Sequence, residues 1–102
     1  MAVQHIVLFK FRAGTVESKI RELFAELEQL KEKIPGILYF AGGPYSSPEG
    51  LNHGYTHGFI MTFDSPEARD RYLPHPEHER VKGLILPHLE DVIAFDFEVA
   101  EP

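Results

Sequence analysis

Between Tyr55 and His78 the side-chain period of the chain changes from two to that of a helix and is then broken by two prolines. That sequence of periods leaves few folds open. Tyr55, His57, Phe59, Met61 and Phe63 alternate with Thr56, Gly58, Ile60 and Thr62, so the segment reads as a strand with one aromatic face carrying a histidine. Asp64-Ser65-Pro66 then gives an N-cap serine and a proline at the first helical position, starting a short helix that runs to about Leu73. Pro74 and Pro76 each lack an N–H and bias the preceding residue towards extended geometry, so this helix must end before a new one starts at His75-Pro76. His75 is expected as a cap or rigid linker, and His78, Val81, Ile85 and His88 or Leu89 share one side of the new helix until Pro87 kinks or ends it.

The remaining elements follow by the same arguments. Val3, His5, Val7, Phe9 and Phe11 alternate with Gln4, Ile6, Leu8 and Lys10, which predicts a central strand with apolar residues at both phases. Ala13-Gly14-Thr15 offers a turn with Thr15 as N-cap, after which Val16, Ile20, Leu23, Phe24, Leu27, Leu30 and Ile34 recur at helical spacing. Its other sides are charged, acidic earlier and basic later, as the helix dipole favours. Pro35-Gly36 ends this helix, Ile37–Gly42 reads as a shorter strand, and Gly43–Gly54 as an irregular surface loop able to cover a site. Asp91–Val99 is a last strand, with Ile93, Phe95, Phe97 and Val99 on one face and Val92, Ala94, Asp96 and Glu98 on the other.

Strand, helix, two strands, helices, strand is the order of a split βαβ unit, an α+β ferredoxin-like fold with a four-stranded antiparallel sheet and helices on one face. The chain's 102 residues suit one domain. Helices on one face leave the other uncovered, yet the strands carry large apolar residues at both phases. The expected remedy is a homodimer through the sheet face, two sheets closing into an α/β barrel.

Charge and composition exclude several functions. A net charge of −6 without a basic patch argues against nucleic-acid binding. No apolar run is long enough to span a bilayer, and the first residues read as a strand, not a signal peptide, so a cytoplasmic location is expected. With no cysteine there is neither a thiolate metal site nor a cysteine nucleophile.

HIVLFKF at the start, IPGI after the first helix, GYTHGFIMTFDS, YLPHPEH and the closing VIAFDFE together resemble the stress-responsive dimeric α/β-barrel (Dabb) family, over nearly the whole chain. The resemblance implies the dimeric barrel. It also implies, by way of the family's plant polyketide cyclase of the olivetolic acid type, an aldol ring closure served by Tyr72, His78 and Asp96, with His5 and His57 as further pocket histidines. The cyclase carries tyrosine where this chain has Leu27 and valine where it has Phe59, so a remodelled or smaller pocket is expected. Other members are stress proteins, which implies an alternative role in assembly or partner binding.

The residue types fit such chemistry. A base near neutral pKa removes a proton alpha to a carbonyl and a donor holds the enolate, roles that His78 and Tyr72 can divide. Asp96 is expected to orient the His78 ring, and Phe24, Leu27 and Phe59 to bound a pocket for a small apolar or carbonyl-bearing molecule with His5 and His57. A metal held by His5, His57 and His78 or Asp96 would need all to converge. Hydrogen-bonded buried histidines are the simpler reading, and no metal or other cofactor is expected. Haem-degrading chemistry is disfavoured because the chain has no tryptophan.

Overall fold

The computed structural model describes residues 1–100. Strand β1 spans Ala2–Phe11, helix α1 Glu17–Lys33, β2 Ile37–Pro44, β3 His57–Phe63, α2 Pro66–Tyr72 and α3 Pro76–Ile85; a 3-10 turn at Leu86–His88 leads into β4, Leu89–Val99. The four strands form one antiparallel sheet in the order β2-β3-β1-β4, with β1 and β3 central. This is the ferredoxin-like arrangement that the element order predicts.

Cross-strand register divides the side chains between the faces. His5 stands opposite Met61 of β3 and Asp96 of β4, and Val7 opposite Phe59 and Ala94, all on the helix-covered face. There Val3, Val7, Phe9, Met61 and Phe63 join Ile20, Leu23, Leu27 and Leu30 of α1 and Val81 and Ile85 of α3 in a buried core. On the other face Ala41, Ile60, Ile6 and Phe95 form one apolar row across all four strands, with Leu8 and Ile93 in the next. That face is bare: Phe95 is 63% exposed and Phe97 45%.

Local signals hold where they were chemically specific. Ser65 Oγ accepts from the Ala68 N–H at 3.1 Å, and His75 Nδ1 accepts from the Glu77 N–H at 3.1 Å, so both helices start at capped, proline-led turns. Thr15 does not cap α1. Its hydroxyl donates to the Arg12 carbonyl at 2.7 Å, closing the preceding turn, and the helix begins after Val16 with no side-chain cap. Strand β2 continues through Gly42 and Gly43 to Pro44, beyond the Gly42 end expected, because both glycines pair with β3. In exchange β3 starts at His57, after Tyr55 and Thr56.

The turn at Gly36 fixes where α2 lies. Gly36 has φ +95°, and a Cβ there would stand 2.6 Å from the Ala68 Cβ, while its carbonyl accepts from the Asp64 N–H at 2.9 Å. Gly36→Ala combines a left-handed conformation with a clash against a fully buried residue. It is expected to cost about 2–4 kcal/mol, measured as a lower urea midpoint at unchanged slope. A loss under 1 kcal/mol would mean that α2 shifts freely, against the close packing that places Tyr72.

Candidate functional site

Helix α3 packs against α1 more than against β4. The gap left between them is a cavity of about 290 Å³. Its floor is His5, Val7 and Phe9 of β1 with Phe59, its walls are Leu27, Val81, Ile85 and Leu89, and Tyr72 and His78 close one end. Leu73, Lys82, Leu86, Val92 and Ala94 form the exposed rim. The size lies at the small end of ligand pockets, and the lining is apolar with few polar groups, the usual composition of such sites.

Tyr72 ends α2 pointing into the core, 1% exposed, and its ring packs on Phe63 at 4.9 Å and on the His78 ring at 4.3 Å between centroids. Burial, reinforced by the nearby Asp96 carboxylate, pushes the phenol pKa up, so the hydroxyl keeps its proton and serves as a donor. His78 sits in the first turn of α3 because the Pro74–Pro76 break brings the chain back over Leu73. Its Nδ1 donates to the Leu73 carbonyl at 2.8 Å. A carbonyl only accepts, so Nδ1 carries the proton and Nε2 is left with a free lone pair. Desolvation lowers the His78 pKa below its ordinary value, Lys82 and His5 adding to the effect, against opposing contributions from the Leu73 carbonyl and Glu79. The neutral ring is therefore the resting form.

The sign follows for pH. A histidine whose folded pKa is depressed favours the fold above its unfolded value near 6.5, a contribution lost as pH falls through the folded pKa. His78 is expected to titrate below 6.5 in an NMR pH series, with a loss of stability on acidification over the same window. Titration at or above 6.5 would show that the ring is solvated or ion-paired.

Asp96 does not orient His78. It pairs with His5, whose Nδ1 lies 2.6 Å from Asp96 Oδ1, and its second oxygen accepts from Arg69 Nη1 at 2.8 Å. The physical reason is register: His5 and Asp96 are directly opposed on β1 and β4, while His78 is held by its own helix start. His57 does not reach the cavity. It stands opposite Phe9, four residues along the strand from the Met61 that faces His5, and its ring lies between Phe11 and Phe24 with Nδ1 2.9 Å from Thr56 Oγ1. Phe24 packs on Phe9 and this histidine, outside the cavity lining, so of the expected pocket residues His5, Leu27 and Phe59 line it while His57 and Phe24 do not. His57 is thus kept apart from His5 and His78, and among the described residues no three metal-binding side chains converge.

Arg69 is the participant that sequence reasoning missed. Three residues before Tyr72 on α2, it shares that residue's side of the helix, and this spacing is the signal that pointed inward. Lys82 on the rim was missed likewise, for it lies one residue past the Val81 of the core stripe.

A one-sided helical layer over a four-stranded antiparallel sheet, with a cavity between them, defines a ferredoxin-like α+β protein. The chain belongs to the stress responsive A/B barrel domain family, whose sequence model matches residues 3–99. It is 35% identical over 96 residues to the stress-response A/B barrel domain-containing protein HS1 of Arabidopsis thaliana, covering 94% of this chain and 88% of that one. It is 29% identical over 97 residues to olivetolic acid cyclase of Cannabis sativa, covering 95% and 96%. Among solved structures, a dimeric ferredoxin-like protein of unknown function from a Jannaschia species superposes with a TM-score of 0.86 at 28% identity, covering 97% of this chain and 100% of that one. No helix among the described residues is long and apolar enough to cross a membrane.

Proposed function

We propose that this chain is a cytoplasmic homodimer that binds a small, apolar, carbonyl-bearing compound between sheet and helices and carries out acid/base chemistry of the cyclase type on it. One observation carries the reading: the Tyr72 and His78 rings meet at the end of one ligand-sized cavity, the first a buried donor, the second a neutral ring with Nε2 free. His78 Nε2 removes a proton alpha to the ligand carbonyl, and the Tyr72 hydroxyl donates to the oxygen that becomes the enolate. Apolar walls keep water from competing for either group. The enolate carbon then attacks a second carbonyl of the same molecule, closing a ring. The relation to olivetolic acid cyclase supports this class of step, and the cavity of about 290 Å³ confines it to compact molecules.

The test is proton exchange. Pentane-2,4-dione and heptane-2,6-dione in D2O are expected to exchange their alpha protons faster with the protein than without it, and to shift the Tyr72 and His78 NMR signals. Neither shift nor acceleration would exclude the site as a carbonyl pocket. A second reading, in which the protein acts by assembly alone, is favoured by the bare apolar sheet face and the relation to a stress-response protein. It predicts oligomerisation with an empty and inert cavity.

A further inference from the structure

His5 and His78 line the same cavity, and each has its Nδ1 committed to a fixed acceptor, one to Asp96 Oδ1 at 2.6 Å and the other to the Leu73 carbonyl at 2.8 Å. Both rings therefore have Nε2 as the atom left for a ligand. Tyr72 lies beside both, its ring centroid 4.3 Å from that of His78 and 6.0 Å from that of His5. A single enolisation uses one imidazole. The second is nevertheless held as firmly as the first, and at greater expense, since Asp96 is a partly buried carboxylate that needs a counter-charge. Arg69 supplies it: Nη1 donates to Asp96 Oδ2 at 2.8 Å, while Nε donates to Asp70 Oδ1 at 2.8 Å and fixes the guanidinium from its other edge. With Oδ2 taken by Arg69, Oδ1 is the oxygen directed at His5.

We propose that Arg69 is a positioning residue which, through Asp96, makes His5 Nε2 the second proton-transfer atom of the cavity, so that the site moves two protons on one dicarbonyl ligand. The proposal rests on the reading of the cavity as a proton-transfer site. In an aldol closure His78 Nε2 takes the alpha proton, the enolate carbon bonds to the second carbonyl carbon, and the π pair of that carbonyl moves onto its oxygen. The alkoxide so formed takes the proton from a protonated His5 Nε2. One proton has left carbon for His78 and one has left His5 for oxygen, and solvent at the open rim resets both rings. Asp96 accepts from Nδ1–H throughout, before and after His5 gives up its proton, so the ring keeps one orientation.

The experiment uses heptane-2,6-dione, which shows the first step as alpha-deuterium uptake and the whole sequence as ring closure to a hydroxycyclohexanone. Arg69→Met is expected to slow ring closure about tenfold more than it slows exchange, and Arg69→Lys to recover part of the difference. Equal slowing of both, or closure unaffected, would overturn the role of Arg69. Loss of exchange in no variant of His78 would instead defeat the underlying reading of the cavity, which keeps the two failures apart. A ligand-free measurement decides independently of turnover. In protein labelled with 15N-histidine, His5 is expected to show a protonated Nδ1 with a far-downfield, slowly exchanging proton that broadens or vanishes in Arg69→Met and returns in Arg69→Lys. An unprotonated Nδ1 in the unaltered protein, or a signal indifferent to Arg69, would overturn the proposal.

Discussion

Tyr72→Phe is expected to lower alpha-proton exchange on a bound dione by about 10²–10³-fold, the loss typical of one donor to a developing oxyanion. His78→Ala is expected to lower it by about 10²–10⁴-fold, the range of a general base. The phenylalanine variant is the sharper test because it removes one oxygen and keeps the ring, which packs on Phe63 at 4.9 Å and on His78 at 4.3 Å. Burial of that ring stabilises the fold through its carbon surface, so the variant should unfold at a urea concentration close to that of the parent. A fall in rate without a fall in stability then belongs to the hydroxyl. The double variant should be little worse than His78→Ala alone, because a donor to an enolate has nothing to stabilise once no enolate forms. Rates equal to the parent's in Tyr72→Phe would reduce Tyr72 to a packing residue, and rates equal in both variants would end the acid/base reading.

How much of this was legible beforehand depended on the range of the interaction. Features set within four residues were readable: the Ser65 and His75 caps, the proline break between α2 and α3, the end of α3 before Pro87, and the alternation of β1, β3 and β4. Thr15 failed as a cap although local, since a hydroxyl that can bond backward to Arg12 as well as forward to a helix carries two readings. Gly42 and Gly43 looked like the end of a strand. At Gly42 the lack of a side chain is what lets β2 continue, because a Cβ there would lie 2.6 Å from the Phe24 ring and 2.9 Å from the Phe59 Cβ, whereas Gly43 has open space around it and simply pairs with Gly58. The partner of Asp96 could not be read, because it depends on a register between residues 91 apart, and both His5 and His78 were chemically suitable. Membership of a pocket was similarly hidden for His57. Phase places it on the inner face with His5, but only the helix packing decides which end of that face stays open.

Phe95→Asp is expected to weaken self-association by about 10³-fold or more and to leave the chain folded. Phe95 stands at the end of the row Ala41, Ile60, Ile6 and Phe95 that crosses the bare face, 63% exposed in the isolated chain. An apolar row of this extent, continued by Leu8, Ile93 and Phe97, is larger than scattered surface residues require, and the dimeric Jannaschia structure is built on the same fold. If two copies pair across these faces by a two-fold axis, every residue of the patch enters the interface twice, so one substitution is felt twice. Losing a buried aromatic anchor costs about 2 kcal/mol or more, and two such losses give at least ~4 kcal/mol, about 10³-fold in dissociation constant before the cost of burying a carboxylate is added. Sedimentation should show the parent at twice the 11.6 kDa chain mass and the variant at the chain mass, with matching far-ultraviolet dichroism. Because Phe95 points away from the cavity, exchange of a dione measured on the monomer would then separate the two halves of the reading. Activity that survives in the monomer assigns the chemistry to one chain, whereas a parent protein that sediments as a monomer would leave the apolar face without the partner that its composition demands.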